Sequence, residues 1–329
     1  MAYFYGVHGA LICSDHPIAG LPLAPRAVAD LQLCVYAMAD SGSARTDAGG
    51  QRSSGFSRVT QQGEDWVNYT IQTPTHALHA RFSPHGERLE LGWRDRDHTG
   101  LEALDRILTT FLIGNLIAYA LRLQGKLVLH GNAACTGQRA IAWVGAKGAG
   151  KSTLSAAFLD AGHALVTDDQ LVLRTSGSLW YAAHGVPRIR LWPGSVETLS
   201  AQTRSDFLQP FGNAIKGWLE ISPELSETPK LSPPLDALYV LASRCASLTT
   251  AVIRRLSAGE RLQSLLQHRL ARQSLPISST QHAAEFTMFG KLASQLPIYG
   301  LQLPDRLEAL PEVVQLLVAR HAKPVAALA

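Results

Sequence analysis

The sequence predicts an α/β protein: a core of strands and helices built around a glycine-rich phosphate loop, preceded by a smaller β-rich domain. Three observations carry this. Residues 1–100 break into short apolar runs separated by Gly, Pro, Asp and Ser, the pattern of strands and turns. Near Thr99 the apolar spacing lengthens to that of a helix. Gly145–Thr153 then reads as strand, glycine loop, helix. The expected division is residues 1–100 and 101–329, with the first domain serving substrate recognition or assembly.

In order, strands are expected at Tyr3–Val7, Ala10–Cys13, Leu31–Met38, Trp66–Ile71, Leu78–Phe82 and Leu89–Trp93. Residues 40–55, small and polar, read as a mobile loop. Leu101, Leu104, Ile107, Leu108, Phe111 and Leu112 open a helix that continues to Leu123 and stops before Gly125. Strands follow at Lys126–His130 and Arg139–Val144, then a helix at Lys151–Ala161 closed by Gly162. Ala164–Thr167 is a further strand, and Leu171–Arg174 pairs with Leu179–Tyr181 as a hairpin. The Pro-rich residues 222–234 form a loop before the strand Asp236–Ala242. Helices at about 258–272, 281–295 and 308–321 and a strand at Ile298–Leu303 complete one sheet with its helices.

Composition excludes several classes. Of 329 residues 46% are hydrophobic and 17% charged, which excludes intrinsic disorder. Thirty Lys and Arg against 26 Asp and Glu leave +4, without a long basic run, so no nucleic-acid partner is expected. The longest apolar stretch, Thr110–Leu123, contains Asn115 and Arg122 and is too short for a membrane span. The amino terminus lacks the pattern of a signal peptide. Cys13, Cys34, Cys135 and Cys245 are scattered, without zinc spacing, as in a reducing compartment. The expectation is a cytoplasmic protein, able to form homo-oligomers although nothing identifies an interface.

With charge so scarce, its clusters are informative. Gly145, Ala146, Lys147, Gly148, Ala149, Gly150, Lys151, Ser152 and Thr153 match G-x-x-x-x-G-K-[ST]. Such a loop aims successive N–H groups at phosphate without Cβ atoms in the way, and the following helix adds its dipole. Lys151 would meet the β- and γ-phosphates and the Ser152 hydroxyl would ligate Mg²⁺. One strand later stand Asp168 and Asp169. Carboxyl ends of parallel strands share one sheet edge, so this pair is expected beside the loop. One carboxylate could hold Mg²⁺ while the other takes a proton from an attacking hydroxyl. A solvated turn is the bland alternative. His130, at the end of KLVLH, fits either a structural or a catalytic role. Arg188 and Arg190 alternate with apolar residues, so both face one way, toward substrate or toward solvent.

The run LVLHGNAACTGQRAIAWVGAKGAGKSTLSAAFLDAGHALVTDD resembles the catalytic core of the HPr kinase/phosphorylase superfamily. The resemblance lies in His130-Gly131, Gly145–Ser152, Gly162-His163 and Asp168-Asp169 and in their order. It implies an ATP- and Mg²⁺-dependent serine kinase, with a phosphate-loop core of the HPr kinase and phosphoenolpyruvate carboxykinase type. By the same resemblance Asp168 is the general base, Asp169 and Ser152 serve the metal, Lys151 the phosphates, and His130 supports the carboxylates. Two features depart from the family. Thr153 stands where HPr kinases carry an acid, and the glycine-containing segment tied to phosphorolysis is missing. Phosphorolysis and the carrier protein HPr are therefore not expected. The chain is also similar to kinase-like proteins encoded with lasso-peptide and related ribosomal-peptide pathways. The similarity runs through YFYGVHGALICSDHPIAGLPL, GVPRIRLWPGSVETL, PLDALYVL and LPIYGLQLPDRLEALPEVVQLL. It implies a precursor-peptide serine as acceptor. Two alternatives stand beside this. One is a small-molecule kinase, which would usually carry a basic lid; no clear lid sequence is present, though Arg254, Arg255, Arg261, Arg269 and Arg272 could form one. The other is a nucleotide-binding regulator with little turnover.

Overall fold

The computed structural model describes residues 1–38, 53–61, 63–72, 76–95, 104, 108–192, 196, 207–208, 217–221, 232–270 and 275–322. It is a mixed α/β protein with several sheets and few helices. By compactness the chain divides into Met1–Lys126 with Ala271–Glu285, and Leu127–Leu270 with Phe286–Ala329. The described residues among 101–126 therefore group with the amino-terminal strands rather than with the phosphate loop.

In the first unit β1 (Tyr3–Val7), β2 (Ala10–Ser14), β3 (Leu31–Ala37), β4 (Ser53–Gln61), β5 (Glu64–Gln72), β6 (His76–Phe82) and β7 (Arg88–Asp95) form one sheet. Its order is β1-β2-β3-β7-β6-β5-β4, with β3 parallel to both neighbours and the other pairs antiparallel. Strand β4 corrects the expected loop: residues 53–55 belong to it, and residues 40–52 lie outside the described residues. Its sequence SSGFSRVTQ holds only Phe56 and Val59 as large apolar residues and does not alternate, and pairing with β5 along its whole length supplies what apolar periodicity did not. The helix expected over 101–123 differs too. Leu108–Leu116 is π-helical and leads into α1 (Ile117–Leu123), while 101–103 and 105–107 lie outside the described residues. Every residue of α1 is buried. Tyr119 meets the rings of Phe56, Tyr69 and Phe82 at centroid distances of 5.0, 5.8 and 6.5 Å, seating the helix on β4, β5 and β6. Arg122 Nε lies 2.6 Å from Glu285 Oε1 with both side chains buried, so losing either would strand the other's charge.

Further along the chain come β8 (Leu127–Leu129), β9 (Gly131–Thr136), β10 (Arg139–Gly145), α2 (Lys151–Asp160), β11 (Leu165–Thr167), β12 (Leu171–Ser176), β13 (Leu179–Ala182) and β14 (Arg188–Leu191). They are followed by β15 (Phe207–Leu208), β16 (Gly217–Glu220), β17 (Leu235–Leu241), β18 (Val252–Arg255), α3 (Ala258–Gln267), α4 (Ser279–Gln295), β19 (Ile298–Gln302) and α5 (Leu310–His321). Among the described residues the second unit holds three sheets rather than the one expected: β11-β9-β10-β17-β19-β18, β13-β12-β8 and β14-β16-β15. Strands β10, β17 and β19 run parallel, and β9 lies antiparallel between β10 and β11.

Helices cover both faces of the six-stranded sheet, so β10 reads as an almost unbroken apolar run. Alternation sends Ile141 and Trp143 to one core and Ala140, Ala142 and Val144 to the other. The first core takes Leu154 and Phe158 of α2 and Val313 and Leu317 of α5. The second takes Leu265 of α3 and Phe289 and Leu292 of α4. Trp143 stacks on Phe158 at 5.2 Å, and its Nε1–H donates to Lys151 O at 3.0 Å. The helix start is thereby fixed to the strand that delivers the loop. The expected hairpin is present, with Leu173 opposite Ala182 and Gly177 turning at φ 61°. Helix α3 ends at Gln267, short of the expected 272, where Arg269 bridges to Leu129. Of the expected Pro-rich loop, residues 222–231 lie outside the described residues. Among the described residues no helix is long and apolar enough to cross a membrane.

Candidate active site

The phosphate-loop segment bends sharply out of β10. A side chain at Gly145 would begin 2.9 Å from Leu241 Cβ and 3.2 Å from Ala149 Cβ, so glycine is required there. Gly148 and Gly150 have φ of 86° and 99°, the left-handed region that glycine enters without steric cost. Gly150 caps α2, and Lys151 is its first residue. The Lys151 ammonium is buried and donates to Gly145 O at 2.8 Å and Ala146 O at 3.3 Å. Ala146, Lys147 and Gly148 are exposed, Ala149 is buried, and Ser152 and Thr153 are partly exposed on the first turn.

The acidic pair reaches the same sheet edge by a route the sequence does not announce. Strand β11 is not next to β10; β9 separates them. Because β9 is antiparallel to both, β10 and β11 point the same way and their carboxyl ends share an edge with the start of β9. His130, Asn132, Gly145 and Asp168 therefore lie together. Gly131 lets β9 approach: a Cβ there would begin 2.7 Å from Trp143 O.

Asn132 is fully buried and joins the parts. Its Nδ2 donates to Ser155 Oγ at 2.6 Å and to Asp168 Oδ1. Ser155 Oγ donates in turn to Lys151 O at 3.2 Å. A hydrogen-bonded line thus runs from the loop lysine to the carboxylate. Asn132 Oδ1 also accepts from Asp169 N–H at 3.3 Å. Asp168 Oδ2 accepts the backbone N–H of Arg190 at 3.0 Å. Both carboxylate oxygens are aimed by donors, which hold the orientation of the group.

Asp169 follows in a tight turn, with Gln170 N–H donating to Asp168 O at 2.9 Å. Its φ is 70°, a region Asp tolerates better than most residues, and strain of this kind gathers at functional sites. Thr167 Oγ1 closes the turn by donating to Gln170 O at 2.8 Å. The Asp169 carboxylate lies 3.0 Å from His130 Nδ1, and both side chains are over a third exposed. Arg188 and Arg190 share one face of β14, while Ile189 and Leu191 enter the core. Burial, aided by Arg190, brings the Arg188 pKa down from its ordinary value to about 10, with Glu220 and Asp168 opposing.

No protein family and no curated protein sequence matches the chain. Among solved structures it is similar to the HPr(Ser) kinase/phosphatase of Coxiella burnetii. That alignment covers 59% of this chain and 95% of the other, at 14% identity and a TM-score of 0.32. So loose a likeness carries no part of the functional case, which rests on the residues.

The structure brings His130, Lys151, Ser155, Asp168, Asp169 and Arg190 around Asn132. Asn132 escaped the sequence reading because it sits in β9, a strand that reading passed over between His130 and Arg139. Its signal was a polar residue in an otherwise small and apolar run, GNAACT. The arginines read as a lid do not share one segment. Arg254 and Arg255 lie in β18, Arg254 pairing with Glu260 at 2.8 Å. Arg261 donates from α3 to Ala293 O at 2.9 Å, Arg269 bridges to Leu129, and Arg272 lies outside the described residues. Among the described residues no group of three or more His, Cys, Asp or Glu is placed to hold a metal ion. Ser152 and Asp169 offer one hydroxyl and one half-exposed carboxylate, an all-oxygen set. That suits Mg²⁺, which keeps most of its waters and takes its other ligands from phosphate.

Proposed function

We propose that this chain is an ATP- and Mg²⁺-dependent kinase that phosphorylates a serine hydroxyl of a peptide or protein. The observation that carries the reading is the hydrogen-bonded line from Lys151 through Ser155 and Asn132 to Asp168. It ties a phosphate-loop segment to a carboxylate whose oxygens are already aimed, the two parts phosphoryl transfer needs.

In this reading the loop amides and Lys151 hold the β- and γ-phosphates. Ser152 and Asp169 would hold Mg²⁺, which when bound neutralises charge across those phosphates. Asp168 accepts the proton of the acceptor hydroxyl. The new oxygen–phosphorus bond forms as the bond from the γ-phosphorus to the β–γ bridging oxygen breaks, releasing ADP. His130 orients Asp169 through its Nδ1 contact. Arg188 and Arg190 add positive charge near Asp168, where phosphoryl charge develops.

The flanking motifs that resemble ribosomal-peptide kinases support a precursor peptide as acceptor, in a reducing compartment. The small-molecule alternative shares the phosphate loop and acidic pair, and the arginines considered as its lid lie on separate elements among the described residues. The test is incubation with γ-labelled ATP, Mg²⁺ and, in parallel, serine-containing peptides (including any short precursor encoded beside this gene) or a mixture of hydroxyl-bearing metabolites. Label recovered as phosphoserine is the expected result; label recovered only on metabolites would overturn the reading.

A further inference from the structure

We propose that Arg244 and Asp305 form the nucleoside side of the phosphate-loop site. This rests on the reading of Gly145–Thr153 as a nucleoside triphosphate site. The strand order sets the direction. Strands β9 and β11 flank β10 on one side, and β17 and β19 on the other. His130, Asn132, Asp168 and Asp169 all belong to the β9–β11 flank. A phosphoryl group transferred there must face that flank, so the rest of the nucleotide extends over the carboxyl ends of β17 and β19.

The segments leaving those two strands are knitted together at that edge. Ala242 N–H donates to Leu301 O at 2.9 Å, Cys245 N–H to Leu303 O at 3.0 Å, and Asp305 N–H to Cys245 O at 3.1 Å. They flank the last glycine of the loop. A side chain at Gly150 would begin 3.9 Å from Arg244 Cδ and 3.8 Å from Leu303 Cδ1. The stem of Arg244 thus lies beside the loop, and its Nη1 reaches Asp305 Oδ1 at 3.1 Å.

Both side chains are more than 40% exposed, and an ion pair so open contributes little to stability. What the pair provides is a placed guanidinium. Asp305 holds one nitrogen, leaving a flat face that can stack on a base and further donors for ribose oxygens. The second carboxylate oxygen of Asp305 can accept a ribose hydroxyl. Arg244 is therefore a positioning residue for the nucleoside, and the phosphates remain the task of the loop.

Calorimetric titration separates the two halves. ATP and inorganic tripolyphosphate, each with Mg²⁺, are titrated into the full chain, Arg244→Ala, Arg244→Lys and Asp305→Ala. Losing a charge-assisted contact should weaken ATP about tenfold in Arg244→Ala, with tripolyphosphate unchanged within about twofold. Arg244→Lys should recover only part of the loss, since lysine lacks the planar fork. Equal weakening of both ligands would overturn the assignment by placing Arg244 on the phosphates, and so would an unchanged ATP affinity. A wild-type chain that binds neither ligand would instead overturn the nucleotide reading, and this assignment with it.

Discussion

The side-chain amide of Asn132 donates to the carboxylate of Asp168, and the same nitrogen donates to Ser155 on the helix that follows the phosphate loop. One buried residue therefore sets the position of the proposed base relative to the loop. Asn132→Ala should lower the turnover of phosphoryl transfer about 10–100-fold, the usual cost of removing such a supporting group. The KM for ATP should change little, because the loop amides and Lys151 are untouched. Asn132→Asp should lose more, since it sets a second negative charge against Asp168. Steady-state kinetics with ATP varied would separate the two effects; a change confined to KM would contradict this placement.

Lys151 and Gly150 should matter for binding rather than proton transfer. Lys151→Met removes a charge-assisted contact and should weaken ATP about 10–100-fold. Gly150→Ala forces φ near 99° on a residue with a Cβ and should weaken ATP as well as lower Tm. Calorimetry and thermal melts would show this. Unchanged affinity in Lys151→Met would count against the loop as a phosphate site.

Gly131 tests the close approach of β9 to β10. A methyl group there would begin 2.7 Å from Trp143 O, a backbone atom in the sheet interior that cannot move aside cheaply. Gly131→Ala should cost about 1–3 kcal/mol, as overpacking in a dense core does. Gly55→Ala, in β4, controls for the loss of a glycine alone: its φ is not left-handed and a Cβ there meets nothing within 4 Å. Chemical denaturation would compare the two, and an undestabilised Gly131→Ala would contradict the packing.

The loop, the acidic pair and the histidine were legible in the sequence because each is a local pattern. So were most strands and helices of the second unit, where apolar runs such as RAIAWV are long. The missing pieces depend on partners. Strand β4 lacks apolar alternation and is made by pairing with β5. Strand β9 is made of small residues and β18 holds only four, so no periodicity marks them. The antiparallel insertion of β9 is a topological fact, and with it went Asn132. The π-helical geometry of Leu108–Leu116 leaves no trace in the apolar spacing, which fits an α-helix equally well.

Acid should destabilise the second unit before its carboxylates titrate. Burial holds His321 below its ordinary value of 6.5, with Arg320 acting the same way and Asp236 opposing. Its Nε2 lies 2.7 Å from the Tyr239 hydroxyl. The unfolded chain therefore takes up the proton first as pH falls through 6.5. The contribution is fully present above that pH and is lost below it. Tm should drop between about pH 7.5 and about pH 5.5, and the drop should be smaller in His321→Gln. An identical pH dependence in the variant would contradict this source.

Asp168→Asn tests the central claim most directly, because it keeps the shape of the residue and removes the basic group. The measurement pairs ATP affinity by calorimetry with single-turnover transfer of labelled γ-phosphate to a serine peptide. If Asp168 is the base held by Asn132 and Arg190 N–H, affinity should stay within about twofold while transfer falls about 10²–10⁴-fold. Transfer at the wild-type rate would contradict the account, and so would a loss explained entirely by weaker ATP binding.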